Sequence, residues 1–134
     1  MNAKNFLRPL LFLAVILTLK SRAAEPTLDI YWVDVEGGAA TLIVTPEKEA
    51  VLIDAGSAGG RDAGRIRKAA ADAGLKQIDY FILTHFHTDH FGGAAELAEL
   101  IPIGTVYDNG IPDHDPDSNR TDSRFPNSSN HIVR

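Results

Sequence analysis

Thr84-His85-Phe86-His87-Thr88-Asp89-His90-Phe91-Gly92-Gly93 is the stretch on which the reading of this chain turns. It takes up the last residue of Gln77–Thr84 (QIDYFILT), an apolar run with strand character, and it leads through two glycines into a short helical pattern ending near Leu100. On an extended segment, residues two apart point the same way. His85, His87 and Asp89 therefore converge, and a turn at Asp89 lets His90 approach from another side. Four donors within six residues, all imidazole or carboxylate, suit zinc. A solvated polar turn is the plain alternative and leaves the density of ligand-type side chains without a cause.

Working outward, Leu28–Val35 (LDIYWVDV) and Ala39–Thr45 (AATLIVT) read as a hairpin closed by Glu36-Gly37-Gly38. Pro46-Glu47-Lys48-Glu49 makes the next turn, and Ala50–Asp54 (AVLID) is a short buried strand that stops at a carboxylate. Three strands in quick succession predict an antiparallel start to a sheet. Asp62 is a plausible N-cap for a helix whose Ile66, Ala69, Ala70 and Ala73 share one face and which closes at Gly74. Its Arg61, Arg65, Arg67 and Lys68 read as a solvated face without function. Ile103–Tyr107 reads as a fifth strand. From Asp108 the chain turns to Asp, Asn, Ser and Pro, the composition of a loop-like or disordered tail.

The motif at residues 84–93, preceded by Leu52-Ile53-Asp54-Ala55-Gly56, resembles the metallo-β-lactamase superfamily, and Val33–Ala40 resembles the opening of a branch of it that includes extracellular hydrolase domains of DNA-uptake proteins. Glu36-Gly37-Gly38 departs from that branch's usual Gly-Gln-Gly, so a DNA substrate is not carried across. The resemblance implies an α/β fold, the αββα sandwich of that superfamily. Residues 24–108 supply its first sheet-and-helix half, and the further ligands are expected downstream in a second half, so the domain is expected to be truncated here. It further implies that His85 and His87 hold one zinc ion and Asp89 and His90 a second. Asp89 would also act in catalysis by orienting a bridging hydroxide. Asp54, with Thr84, would stand behind the ligands and hold the loop by hydrogen bonds, although Asp-Ala-Gly is also an ordinary turn. The implied reaction is hydrolysis with a metal-bound hydroxide as nucleophile, acting on a small-molecule, ester or phosphodiester-type substrate. A non-catalytic metal-binding module is the rival reading, and a purely structural domain ranks last.

Composition bounds the rest. At 134 residues the chain has room for one ordinary domain, and 44% hydrophobic with 23% charged is unremarkable for a globular protein. Lys4 and Arg8 precede an apolar run from Leu10 to Leu19, and small residues follow at Ser21, Ala23 and Ala24, as in a secretory signal peptide cleaved after Ala23. That run is too short to span a bilayer. The expected location is therefore secreted or periplasmic, with no membrane association after cleavage. Loss of residues 1–23 leaves 9 basic against 18 acidic residues, a formal charge of −9, which disfavours non-specific nucleic-acid binding. There are no cysteines, so zinc must be held by histidine and carboxylate. His114 and His131 sit in polar loops and read as solvated, as do the acceptor patterns at Asn119 and Asn127. Trp32 and Tyr31 read as core or sheet-surface residues.

Overall fold

A computed structural model describes residues 25–110 and 116–117. The elements run β1 (Asp29–Trp32), β2 (Thr41–Val44), β3 (Ala50–Ile53), α1 (Arg61–Asp72), β4 (Ile78–Ile82), α2 (Thr88–Phe91), α3 (Ala94–Leu100) and β5 (Ile103–Tyr107). The five strands form one sheet in sequence order. β1–β2 and β2–β3 are antiparallel, as short turns require, whereas β3–β4 and β4–β5 are parallel because helices carry each crossover.

Alternation along the strands decides which face is buried. Leu42 and Val44 of β2, Ala50 and Leu52 of β3, and Phe81 of β4 are all fully buried. Leu42 pairs with Leu52 and Leu52 with Phe81, so they form one row across the sheet. Ala63, Ile66 and Ala70 of α1 and Ala94 and Leu97 of α3 close over this face. The small residues of α1 allow that helix to lie close. Each buried leucine or phenylalanine contributes roughly 1.5–3 kcal/mol, which makes this row the centre of stability.

The opposite face carries Trp32, Thr41, Ile53, Ile82 and Tyr107 in a register row. Trp32 is 80% exposed, and no described element covers it or Tyr107. One helix-covered face and one open apolar face are what the first layer pair of an αββα sandwich presents. Tyr31, by contrast, points inward and packs against the core.

Two details depart from the sequence reading. Asp62 is not the N-cap: α1 starts two residues earlier than that cap would place it, with Gly60 at the cap position, and the backbone N–H groups of Gly59 and Gly60 donate to the Glu96 carboxylate at 2.7–3.1 Å. A residue from α3 does the capping, which local sequence cannot reveal. The basic residues of α1 are also engaged rather than simply solvated. Arg61 meets Glu36 and Asp62 at 2.6 Å, Arg65 donates to the Asp34 carbonyl at 2.6 Å, Arg67 to the Leu100 carbonyl at 3.2 Å, and Lys68 pairs with Asp72.

Asp62 is buried, 1% exposed. Burial pushes its carboxyl up, but hydrogen bonds from the Arg61 guanidinium and the Ser57 N–H, with the charges of Arg61 and Arg65, outweigh that and hold it below the ordinary carboxylate value. A depressed folded-state value stabilises the fold above the unfolded-state pKa of about 4, and that contribution is lost as pH falls through the folded value. Urea midpoints measured from pH 6 down to pH 3 are expected to fall more steeply for the native chain than for Asp62→Asn.

Residues 1–24, which include the predicted signal segment, lie outside the described residues. So do His114, His131, Asn119, Asn127 and most of the 109–134 tail. No helix among the described residues is long and apolar enough to cross a membrane.

Candidate metal centre

Parallel strands β3 and β4 end side by side, and both lead directly into the candidate site. Asp54 follows β3 and is 2% exposed, with φ +58°. That left-handed conformation is uncommon outside glycine but tolerated by Asp. β4 continues through buried Leu83 to Thr84 and the histidine loop. Phe86, between the two histidines, points the other way and packs on Phe91 at 5.6 Å. His85 and His87 therefore share a side, with ring centroids 4.7 Å apart, and the turn into α2 brings the His90 ring to 4.0 Å from His85.

The hydrogen bonds assign a proton to two of these rings. Asp54 accepts from the Thr84 N–H at 2.9 Å, from the Thr84 hydroxyl at 2.7 Å and from His90 Nδ1 at 2.8 Å. A carboxylate can only accept, so His90 carries its proton on Nδ1 and keeps a lone pair on Nε2. The Thr84 hydroxyl has one hydrogen, already given to Asp54, so its oxygen accepts from His85 Nδ1 at 2.9 Å. His85 Nε2 is then also a free lone pair. His87 Nδ1 is buried and has no hydrogen-bond partner among the described residues. Each imidazole thus keeps one nitrogen available. Asp89 Oδ1 lies 3.9 Å from His90 Nε2.

This donor chemistry, three uncommitted imidazole nitrogens and a carboxylate, fits zinc. It is a partial set, because no group of three or more such side chains among the described residues encloses an ion position by itself. Two donors per ion from this loop would need completing from elsewhere.

Sequence reasoning missed three contributors. Asp117 accepts the Thr88 N–H at 2.9 Å, fixing the backbone just after His87. Gly38 packs against the Asp89 carbonyl, and the Ala39 N–H donates to it at 3.3 Å. Asp62 was assigned to the wrong helical position. The glycine next to a hairpin turn and the acid in the first turn of a helix were legible as such, but Gly38 meets Asp89 only in the folded chain, and the bond from Asp62 to the Ser57 N–H depends on how the loop after β3 closes. A cavity of about 390 Å³ lined by Lys48, Gly74, Leu75, Lys76 and Asp79 lies at the other end of the sheet and is unrelated to this chemistry.

The family model described as the metallo-beta-lactamase superfamily matches residues 33–125. The chain belongs to that superfamily. Among curated relatives, a hydroxyacylglutathione hydrolase of Aeromonas salmonicida is 36% identical over 76 residues, covering 55% of this chain and 26% of its own length. A hydroxyacylglutathione hydrolase of Xanthomonas campestris pv. campestris is 31% identical over 91 residues, covering 68% and 29%. Among solved structures, MEM-A1, a subclass B3 metallo-beta-lactamase from a soil metagenome library, is 34% identical, with a TM-score of 0.48 over 57% of this chain and 28% of that one. The chain therefore spans less than a third of these relatives. Membership of the superfamily identifies the five-stranded mixed sheet with its helices as part of that α/β fold.

Proposed function

We propose that this chain carries the first ligand cluster of a metal-dependent hydrolase. His85 and His87 hold one zinc ion, and Asp89 and His90 hold a second. The observation that carries the reading is the buried His87 Nδ1 without a partner. A buried nitrogen left unsatisfied costs about 1–3 kcal/mol, and a cation at that position removes the cost. When bound, such ions make water nucleophilic near neutral pH and polarise the oxygen of the bond under attack.

The protein's own part is to present lone pairs. Asp54 holds the His90 proton on Nδ1 and, through the Thr84 hydroxyl, the His85 proton on Nδ1, so both Nε2 atoms would keep a lone pair for a metal ion. Asp89 would, on this reading, accept a proton from the attacking water or orient it. The relatives' names support hydrolysis of a small molecule, and an ester or thioester carbonyl is the substrate class we favour. We further propose export by way of residues 1–23, in keeping with the basic head and apolar run there.

A second reading, a non-catalytic metal-binding module, is favoured by the partial donor set. Elemental analysis of the purified chain tests the metal directly. Near-stoichiometric zinc that disappears in the His85→Ala, His87→Ala double variant is the expected result. A soluble native chain without bound metal after zinc addition would sink the assignment.

A further inference from the structure

The buried Asp62 carboxylate takes no part in the proposed chemistry, yet it stands where two loops that hold the ligand segment meet. We propose that Asp62 is a positioning residue for Asp89 and His90; this rests on the metal-centre reading above.

Its first arm runs through the loop after β3. Asp62 Oδ2 accepts the Ser57 N–H at 2.8 Å. Gly56, at φ +66°, lies so close that a Cβ there would come within 2.7 Å of the same oxygen, so only glycine lets the loop close on this side chain. From that loop the Ala55 N–H donates to the His90 carbonyl at 2.7 Å, and the Gly56 carbonyl accepts from Gly93 at 3.0 Å. Asp54, held at positive φ at the head of the loop, reaches His90 Nδ1. Backbone and ring of His90 are thus fixed from one short segment, and Asp62 fixes its far end.

The second arm runs through Arg61. Its Nε donates to Asp62 Oδ1 at 2.6 Å, and its Nη1 pairs with Glu36 at 2.6 Å. Glu36 sits at φ +60° in the β1–β2 turn. That turn continues into Gly38 and Ala39, which press against and donate to the Asp89 carbonyl. The Gly56 N–H donates to the Ala39 carbonyl at 3.0 Å and ties the two arms together.

An ionised carboxylate is a costly filling for a core position that an apolar side chain would occupy without desolvation. What it adds is two strong, directional bonds to separate loops. Neither arm contacts His87, and His85 is reached only at second hand, through Asp54 and the Thr84 hydroxyl, whereas Asp89 and His90 are held directly by backbone bonds from both arms. Loss of Asp62 is therefore expected to loosen the second ion's ligands much more than the first's.

The test compares the native chain with Asp62→Asn, which keeps the volume and an acceptor, and Asp62→Ala. Glu96→Gln serves as a control that weakens the same loop region without touching either arm. In the metal-free chain, imidazole ¹⁵N shifts are expected to report the Nδ1-protonated form of His90 and of His85. In folded Asp62 variants the His90 signature should average between tautomers while that of His85 persists; in Glu96→Gln both should persist. Cobalt(II) titration followed by visible absorption should then show one binding step weakened at least about tenfold in the Asp62 variants, with the other retained. An unchanged His90 signature in folded Asp62→Asn and Asp62→Ala overturns the positioning role. If the native chain takes up no cobalt, the metal reading fails by itself, and the ¹⁵N spectra still decide whether Asp62 orders His90.

Discussion

Asp54→Ala is expected to lower folding stability by about 3–5 kcal/mol and to weaken zinc binding about 10- to 100-fold. Three donors lose their acceptor at once: the Thr84 N–H, the Thr84 hydroxyl and His90 Nδ1. The Asp54 carboxylate itself is nearly closed to solvent, so water does not replace the lost oxygens without rearrangement. His85 and His90 also lose the group that keeps their protons on Nδ1. Alanine adds a backbone penalty at φ +58°, which asparagine largely avoids. Asp54→Asn separates the contributions. It tolerates the turn and retains one carbonyl oxygen but brings an amide where two donors already point. If Asp54 were merely a turn former, Asp54→Asn would match the native chain in urea unfolding and in chelator-competition measurements of zinc affinity. The expected result is a stability loss smaller than alanine's with a comparable loss of affinity.

Gly38→Ala, set against Gly37→Ala, gives the second large effect. A Cβ on Gly38 would stand 1.9 Å from the Asp89 carbonyl oxygen and 2.8 Å from its carbon, so the backbone of the ligand loop itself has to move. A Cβ on Gly37 meets nothing among the described residues within 4 Å. Overpacking against backbone costs about 1–3 kcal/mol, and the displaced residue is a proposed ligand. Gly38→Ala is therefore expected to lose about 2 kcal/mol and to depress zinc uptake, while Gly37→Ala changes stability by less than about 0.5 kcal/mol. Equal behaviour of the two variants in thermal unfolding and zinc titration would remove Gly38 from the support of the site.

Much of the fold was legible because its signals are local. The apolar alternation of Thr41–Val44 and Ala50–Ile53, the turn residues between strands, and the helical spacing of Ile66 and Ala70 each act within a few residues. Ile103–Tyr107 was read with the bounds it has. The start of α1 was misread because Asp at the head of a helix ordinarily caps it, whereas here Glu96 takes that role from another helix. The bland reading of the basic residues on α1 failed similarly: Arg61 and Arg65 find their partners at Glu36 and Asp34 in a loop that only the folded sheet brings near.

Sequence by itself determined the superfamily, the order of the elements, and the four ligand-type residues on one short loop, since strand periodicity and the spacing of His85, His87, Asp89 and His90 are properties of neighbouring residues. Tertiary structure alone decided which nitrogen of His85 and of His90 is free. Those protons are set by Asp54 and Thr84, which meet only because β3 and β4 lie parallel and end together. It also decided that Asp62 and Gly38 bear on the site. Hydrogen bonds and close packing act over a few ångströms in space, and Asp54 with Thr84 and His90, or Gly38 with Asp89, are tens of positions apart along the chain.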